Sequence, residues 1–213
     1  MVRLYYYPSY VSLFPHILLE EIGLEYELVF IDRYANAHKR PEYIELNPNG
    51  LIPVLRDGDL VLYEAAAISL HLIDRNPTAG LAPPLGTSER AHFYKWMAWL
   101  ATHLHPALSM YLHPNRWVQD LESLAALKSN AERRVGELLD IIDAELEKHR
   151  GSWLLGSTYS ALDAYALTLC RWSRRMQRPA VDWPHFGPYA RRVLERPAVR
   201  RAFQQEHLAE PWI

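Results

Sequence analysis

The stretch NPNGLIPVL, from Asn47 to Leu55, is the most informative part of this sequence about its fold. It ends in an apolar run that is typical of a buried β-strand, yet Pro53 stands inside that run. Proline has no N–H to donate to a neighbouring strand, so it is found at strand starts, at sheet edges or at bulges. We therefore predict that Pro53 opens a strand directly after a loop, and that the chain has a use for backbone that does not pair in the sheet.

Short strand and helix patterns alternate through residues 1–77. The Asp57-Gly58 pair between two apolar runs predicts a hairpin, and so short a connection joins only antiparallel strands. The predicted strands are Arg3–Tyr7, Tyr26–Ile31, Ile52–Arg56 and Leu60–Tyr63, and the predicted helices are Leu13–Ile22, Pro41–Leu46 and Glu64–Arg75. Their order, β-α-β-α-β-β-α, predicts a small mixed sheet with helices on its faces.

Residues 78–87 are rich in proline and glycine, which predicts a linker. Apolar residues recur at helical spacing from residue 88 to residue 213, so we predict an all-α domain there. Ser160 and Asp163 have the spacing of a capping box, which we interpret as structural. Cys170 lies in an apolar helix and is expected to be an inert core thiol. The predicted helices are Ser88–Leu112, Leu121–His149, Ala161–Arg174, Gly187–Glu195 and Pro197–Glu206.

The composition excludes several classes of protein. The chain has 213 residues, a net charge of −2 and no long basic run, which argues against nucleic acid as a partner. No secretory signal is evident, and no apolar run approaches the roughly 20 residues of a membrane span. A single cysteine allows no internal disulfide, so we expect a cytoplasmic protein. His103 and His105 would point to nearly opposite faces of a helix, and we expect no metal site.

Four motifs in this order resemble those of the cytosolic glutathione transferases. They are LYYYPSYVSLFPHILLEE from Leu4, NPNGLIPVL from Asn47, LYEAAAISLHLID from Leu62 and GSTYSALDAYAL from Gly156. The resemblance covers essentially the whole chain and looks nearest to bacterial members of the beta-like or nu-like kind. It implies an α/β thioredoxin-like N-terminal domain, over residues 1–77, followed by an all-α C-terminal helical bundle.

The resemblance also implies where glutathione binds. A cis bond before Pro53 would turn the backbone of Leu51 and Ile52 outward, so that their unpaired N–H and C=O groups could bind glutathione, with Ile52 pairing with its cysteinyl unit. Glu64 would bind the glutamyl ammonium group, with a first-turn acid that favours the helix dipole as the alternative. The N–H groups of Ala65 and the following alanine would bind the glutamyl carboxylate.

Two details of this predicted site stay open. Many family members have serine or threonine where this chain has Ala65, and the missing hydroxyl would weaken binding by about 1 kcal/mol. His38 and Lys39, in the loop after the second strand, are candidates for binding the glycyl carboxylate of glutathione. The alternative for these two residues is a solvated loop face.

The residue that activates the thiol of glutathione is also open. Val11 stands where beta-like members have a cysteine, so a cysteine mechanism is excluded. Ser9 falls where serine- and threonine-type members place the partner of the thiol, and Ser12 lies one turn further on. A hydroxyl hydrogen bond and a helix N-terminus would lower the pKa of the thiol. The alternative role for Ser12 is the N-cap of the first helix, and Tyr6 and Tyr10 are further candidates for the thiol.

The second substrate, a small hydrophobic electrophile, is expected in an apolar cleft between the two domains. The candidate wall residues are Tyr10, Phe14, His105, Leu108 and Tyr111. His105 matches a histidine of beta-like members, with a hydrogen-bonded structural histidine as the alternative.

The predicted function is therefore that of a glutathione transferase acting on small electrophiles, or reducing disulfides with glutathione as co-substrate. A non-catalytic glutathione-binding or protein-interaction module is the alternative, because one fold serves many functions. A carrier of hydrophobic ligands is a third reading. By resemblance we expect a homodimer, for which Phe93, Tyr94, Trp96 and Trp99 supply aromatic surface.

Overall fold

The computed structural model describes residues 1–149 and 152–213, which form two compact units. The first unit contains Met1–Leu81 together with Glu195–Trp212. Its strands are β1 (Val2–Tyr6), β2 (Tyr26–Phe30), β3 (Val54–Asp57) and β4 (Leu60–Tyr63), and its helices are α1 (Leu13–Ile22), α2 (Pro41–Ile44), α3 (Ala65–Arg75) and α9 (Pro197–Gln205).

The four strands form one mixed sheet in the order β2-β1-β3-β4. β1 is parallel to β2, whereas β1 with β3 and β3 with β4 are antiparallel. The hairpin is therefore confirmed, although its two turn residues are Gly58 and Asp59, because Asp57 still pairs with Leu60. Gly58 takes a φ of 60°, a left-handed conformation that glycine adopts without steric cost.

β3 begins two residues later than the predicted Ile52–Arg56. Its first paired residue is Val54, which lies opposite Tyr5 of β1 and Tyr63 of β4. Pro53 cannot donate a ladder hydrogen bond, so the chain enters the sheet only after it. This explains why the proline is tolerated: it stands immediately before the strand.

The core of the first unit lies between the sheet and its helices. Leu4, Val54 and Leu55 of the sheet and Ile17 of α1 are fully buried. α1 ends as predicted at Gly23, whose left-handed backbone lets its N–H donate to the carbonyl of Leu19.

The second unit, Ala82–Leu194 with Ile213, is built from helices. They are α4 (Ser88–Trp99), α5 (His105–Leu112), α6 (Leu121–His149), α7 (Ala161–Trp172) and α8 (Phe186–Leu194). No helix in residues 1–149 and 152–213 combines the length and apolarity that a membrane crossing requires.

The predicted single helix Ser88–Leu112 is interrupted by a π-helical turn at Leu100–Leu104. There the N–H of His105 donates to the carbonyl of Leu100, five residues back. Pro106 follows directly, and in a regular α-helix its ring would clash with the carbonyl four residues before it. The wider turn accommodates that ring, so the proline is the cause of the interruption.

The predicted capping box at the start of α7 is confirmed. Asp163 is fully buried and accepts hydrogen bonds from the N–H groups of Leu154 (2.8 Å) and Ser160 (2.7 Å) and from the hydroxyl of Tyr189 (2.8 Å). Burial raises the pKa of Asp163 to about 6, against the lowering effect of these hydrogen bonds. Cys170, in the same helix, is also buried, as predicted.

The C-terminal segment Glu195–Trp212 groups with the first unit, whereas the sequence analysis placed it at the end of the all-α domain. α9 lies against α1, and Arg196 donates two hydrogen bonds to Glu21 at 2.6 and 2.8 Å. The end of the chain therefore contributes residues to the unit that carries the predicted glutathione site. The predicted domain limits stay a prediction.

Candidate functional site

Ser9 lies in the turn between β1 and α1. It has a φ of 65°, which is uncommon for a residue other than glycine. Its N–H donates to Oε2 of Glu206 at 2.9 Å, and the N–H of Tyr10 closes the turn on the carbonyl of Tyr7 at 3.2 Å. These two hydrogen bonds hold the turn in place. Ser9 itself is half-buried, so it stays within reach of a ligand.

Ser12 has a different environment. It is fully buried, and its hydroxyl donates to the carbonyl of Tyr7 at 3.1 Å and lies 3.4 Å from the N–H of the same residue. Ser12 stands at the N-cap position of α1 but makes no side-chain cap hydrogen bond, so the predicted capping role is wrong. The hydroxyl instead holds the end of β1, which favours a structural role for Ser12 over an activating one.

Glu206 follows α9 directly and was not predicted as a site residue. It is 1% exposed, and its second carboxylate oxygen lies 3.0 Å from Nδ1 of the fully buried His16. Nε2 of His16 faces the side-chain oxygen of Gln205 at 2.6 Å and the hydroxyl of Tyr26 at 3.0 Å. A polar network between α1, β2 and the end of α9, buried at His16 and Glu206, therefore fixes the carboxylate that holds the N–H of Ser9.

The other sulfur and hydroxyl candidates are less suited to activation of a thiol. Burial and the nearby Glu206 carboxylate raise the pKa of Tyr6, which makes its hydroxyl a weaker hydrogen-bond donor to a thiolate. Val11 is buried where beta-like members have their cysteine. Burial raises the pKa of Cys170, the chain's own thiol, to about 12, so it is not a nucleophile at neutral pH.

The backbone before β3 is available to a ligand at one residue. The Ile52–Pro53 peptide bond is cis, as the resemblance implied. The carbonyl of Leu51 already accepts from the hydroxyl of Tyr43 and from Nδ2 of Asn47, each at 2.8 Å, so the expectation that it is unpaired is wrong. The N–H and C=O of Ile52 make no hydrogen bond within the described part of the chain.

Lys39 lies next to the loop that leads to Ile52. Its ammonium group donates to the carbonyl of Asn49 at 3.3 Å, and the side chain is exposed. A Cβ atom added at Gly50, which has a φ of +57°, would lie 2.8 Å from Nζ of Lys39 and 2.9 Å from the carbonyl oxygen of His38. Only glycine permits this close approach. The structure thus places Lys39 beside the loop that leads to Ile52, whereas the side chain of His38 is buried.

Glu64 directly precedes α3 and is exposed. Its φ of 72° and ψ of 113° are uncommon for glutamate, and strained backbone of this kind is concentrated at functional sites. The helix begins at Ala65, one residue later than predicted, so Glu64 is not a first-turn residue. Ala65 and Ala66 supply N–H groups of the first turn, where the helix dipole favours an anion.

The predicted wall residues of the second-substrate cleft are mostly buried. Phe14, Leu108 and Tyr111 are 0%, 1% and 4% exposed, and the hydroxyl of Tyr111 donates to the carbonyl of Arg175 at 2.9 Å. Buried side chains of this kind stabilise the core of their own unit, which argues against them as ligand contacts. Tyr10 and His105 are half-buried. The location of the cleft stays a prediction.

His105 is a neutral histidine at neutral pH. Burial lowers its pKa to about 4, and its Nδ1 lies 3.0 Å from the hydroxyl of Tyr165. Its ring also contacts Trp172 edge-to-face, with 5.1 Å between the ring centroids. These contacts favour the structural alternative for His105.

The first unit thus contains the backbone of Ile52, without a hydrogen bond to any residue that the structure describes, the exposed Glu64 and Lys39, the N-terminus of α3, and Ser9. These groups match the carboxylates, ammonium, peptide unit and thiol of a small peptide.

Two family models match the chain: "Glutathione S-transferase, N-terminal domain" over residues 1–74 and "Glutathione S-transferase, C-terminal domain" over residues 122–196. The chain is 31% identical to glutathione S-transferase 3 of Zea mays, covering 91% of this chain and 89% of that protein. It is 27% identical to the disulfide-bond oxidoreductase YfcG of Escherichia coli, covering 99% and 98%.

A crystal structure of a glutathione transferase homologue from Sulfitobacter, with bound glutathione, has a similar fold. It superimposes with a TM-score of 0.89 at 25% identity, covering 98% of this chain and 99% of that one. Together with the family models, which match both parts of the sequence, this similarity confirms the predicted fold class. The chain belongs to the glutathione S-transferase family.

Proposed function

We propose that this glutathione transferase holds its co-substrate against Ile52, Glu64 and the start of α3, and activates the thiol at Ser9. The observation that carries the proposal is the contrast between the two serines. Ser9 is half-buried in a turn held by Glu206, whereas the hydroxyl of Ser12 is buried and bonded to Tyr7.

Each group of glutathione has a counterpart of matching chemistry. The N–H and C=O of Ile52 would pair with the cysteinyl unit, as in the addition of a short strand. The carboxylate of Glu64 would bind the glutamyl ammonium, and the N–H groups of Ala65 and Ala66 would bind the glutamyl carboxylate. Lys39 would bind the glycyl carboxylate as a charge-assisted donor.

The chemical step requires the thiolate of glutathione. The hydroxyl of Ser9 would donate to the sulfur, and the N-terminus of α1 would favour its negative charge, so that the thiol proton leaves to solvent. The thiolate then attacks the electrophilic carbon of the second substrate. A carbon–sulfur bond forms as the bond to the leaving group breaks, and the leaving group departs with the electron pair.

Calorimetric titration with reduced glutathione, and the pH dependence of the thiolate absorbance of the bound ligand, test this assignment. Ser9→Ala should raise the pKa of the bound thiol and reduce kcat about tenfold or more, with little change in affinity. Ser12→Ala should leave the pKa of the bound thiol unchanged and lower the free energy of unfolding by about 1 kcal/mol. The opposite pattern would assign the activating role to Ser12.

The binding half of the proposal has its own variant. Glu64→Gln should weaken glutathione binding about tenfold, because the ammonium group would donate to a neutral amide oxygen in place of a carboxylate. Glu42→Gln is the matched control, since Glu42 is also exposed and lies at the start of α2. If the wild-type protein binds no glutathione at several millimolar, that result would instead support the non-catalytic interaction module.

Glutathione-dependent disulfide reduction is a second candidate, favoured by the similarity to the oxidoreductase YfcG. The chain's own Cys170 is buried with a raised pKa, so both electrons would come from two glutathione molecules. The first thiolate would attack the disulfide and release one thiol. The second would then attack the mixed disulfide, giving oxidised glutathione and the second thiol. An assay with a small aromatic disulfide and glutathione tests this activity.

We further propose a homodimer and a cytoplasmic location. Tyr94 is 44% exposed, whereas Phe93 and Trp96 are buried in the chain's own core, so Tyr94 is the better candidate of the predicted aromatic residues for subunit contact. A reaction that consumes reduced glutathione suits a reducing compartment. A monomeric mass by light scattering at micromolar concentration would contradict the homodimer.

A further inference from the structure

Four aromatic side chains form a cluster around the turn that carries Ser9. Tyr7 contacts Tyr10 edge-to-face with 4.9 Å between ring centroids, stacks on Phe30 at 5.7 Å, and lies 6.4 Å from Tyr34. The parallel strands β1 and β2 end side by side, with Tyr6 opposite Phe30, which brings these rings together. We call Tyr7, Tyr10, Phe30 and Tyr34 the aromatic cluster.

The aromatic cluster is open at two of its members. Phe30 is 51% exposed and Tyr34 is 92% exposed. Two exposed rings that both pack against Tyr7 provide apolar surface on which another ring can stack. The predicted cleft residues Phe14, Leu108 and Tyr111 offer no such area, because they are buried.

Arg33 adds a positive charge to the cluster. Its guanidinium carbon lies 4.5 Å from the centroid of the Tyr10 ring, a cation–π distance. The Nε atom of Arg33 is buried without a hydrogen-bond partner, and the side chain makes no ion pair with any residue in 1–149 or 152–213. The adjacent Asp32 is engaged elsewhere, since its carboxylate accepts from the N–H groups of Tyr34 and Ala35 at 2.9 and 3.0 Å.

A half-buried guanidinium with an unsatisfied donor has a strong preference for an anion. Burying a charged donor without a partner is costly, and a planar carboxylate is the group that fits a guanidinium best. A ligand that has both a ring and a carboxylate would therefore satisfy the aromatic cluster and Arg33 together. An uncharged aliphatic ligand would match neither the stacking surface nor the charge, and an aliphatic carboxylate would match the charge alone.

We propose that Arg33, Phe30 and Tyr34 select the second substrate, and that the class they favour is a planar aromatic electrophile carrying a carboxylate. This inference rests on the proposed function, because the electrophile must meet the thiolate near Ser9. The specificity-determining residues would then lie at the end of β2 and in the segment after it, outside the site residues predicted from the sequence.

The reaction with a suitable probe balances without a further reagent. With a chlorodinitrobenzoate, the thiolate of glutathione attacks the ring carbon that bears chlorine. The carbon–sulfur bond forms, the carbon–chlorine bond breaks, and chloride leaves with the electron pair, while the thiol proton has already passed to solvent. The carboxylate of the probe takes no part in bond changes, so its methyl ester is a matched neutral acceptor.

The first experiment measures binding without glutathione. Unreactive dinitrobenzoate and its methyl ester are titrated into wild-type protein and into Arg33→Gln, Tyr34→Ala and Arg40→Gln. The wild type should bind the carboxylate about tenfold more tightly than the ester, as expected for a hydrogen bond to a charged group. Arg33→Gln should remove this preference and Tyr34→Ala should weaken both ligands. Arg40→Gln, an exposed arginine of the same connection, should change neither.

The second experiment measures kcat/KM for the chlorodinitrobenzoate and its methyl ester, together with the dissociation constant of glutathione. Arg33→Gln should reduce kcat/KM about tenfold for the carboxylate and less than twofold for the ester, with unchanged glutathione affinity. Equal loss for both acceptors would overturn the inference. So would an Arg33→Gln variant that binds glutathione less tightly but keeps the acceptor preference, because Arg33 would then serve a carboxylate of glutathione.

These readouts separate the inference from the proposed function. Selective dinitrobenzoate binding by a protein that fails to bind glutathione would refute the proposed function and leave Arg33 as an anion-binding residue. Normal glutathione binding and transfer without any preference for the carboxylate would refute the inference alone.

Discussion

Two buried carboxylates, Glu206 in the first unit and Asp163 in the second, do similar physical work in different ways. Both are almost completely buried, and each holds the backbone N–H of a serine, at 2.9 Å for Ser9 and 2.7 Å for Ser160. Asp163 caps the helix in which it lies, so its serine is three residues away. Glu206 acts on a turn that is 197 positions away in sequence.

The two carboxylates differ in whether they contribute to stability alone or also to the proposed chemistry. Asp163 secures a helix start and the neighbouring loop at Leu154, so its removal affects stability. Glu206 fixes the conformation of the serine proposed to contact the thiol, so its removal affects both stability and chemistry. The same interaction is structural at one place and functional at the other because of what lies next to it.

Removal of Asp163 should have the largest effect. Asp163→Ala leaves the N–H groups of Leu154 and Ser160 and the hydroxyl of Tyr189 buried without their acceptor. We expect the free energy of unfolding to fall by about 3–5 kcal/mol, measured by urea denaturation. The folded fraction should bind glutathione with wild-type affinity. The exposed Asp182→Ala serves as control, and a loss below about 1 kcal/mol would contradict the comparison.

Acid should destabilise the second unit through His105. Its pKa in the folded state, about 4, is below its ordinary value, so the unfolded state takes up a proton first as the pH falls. The contribution of neutral His105 to the free energy of unfolding is fully present above about pH 6.5. It is lost as the pH falls towards 4, by at most about 3 kcal/mol. Urea denaturation of His105→Asn across this range should show a shallower pH dependence than the wild type, whereas the exposed His92→Asn should match it.

Glu206→Gln should separate function from stability. The neutral amide is a weaker acceptor for the N–H of Ser9, so we expect kcat/KM for glutathione transfer to fall about tenfold and the free energy of unfolding by about 1–2 kcal/mol. The pKa of the thiol of bound glutathione should rise, which a purely structural role of Glu206 would not cause. Glu210→Gln, in the exposed C-terminal end, is the control. Unchanged kinetics with lowered stability would make Glu206 the equivalent of Asp163.

The smallest expected effect belongs to Ser160. Its side chain completes the capping box of α7, and Ser160→Ala should lower the free energy of unfolding by about 1 kcal/mol. Thermal or urea denaturation measures this, and kcat/KM should stay at the wild-type value. A change in kinetics would show that the two carboxylate sites are not independent.

The site could be predicted from sequence where its parts are local. Ile52-Pro53 and Glu64-Ala65 lie in short motifs, and the structure has β3 starting after Pro53 and α3 starting at Ala65. The N-cap alternative for Ser12 is wrong. Its position before α1 fits an N-cap, but in the structure its hydroxyl is bonded to the carbonyl of Tyr7. The buried His16, within an otherwise apolar run, was the signal that could have indicated Glu206.

Four motifs carried the resemblance to the family, and the order of the elements and the capping box of α7 could be predicted from the sequence alone. These depend on periodicity, turn residues and spacings within about ten residues, which local backbone preferences enforce. The tertiary structure alone decided that Glu206 holds Ser9, that Phe14 and Leu108 are core residues, and that Arg33 lies over Tyr10 without a carboxylate partner among the described residues. Contacts between distant segments leave no periodic pattern in the chain, because each depends on how the segments pack and not on their spacing.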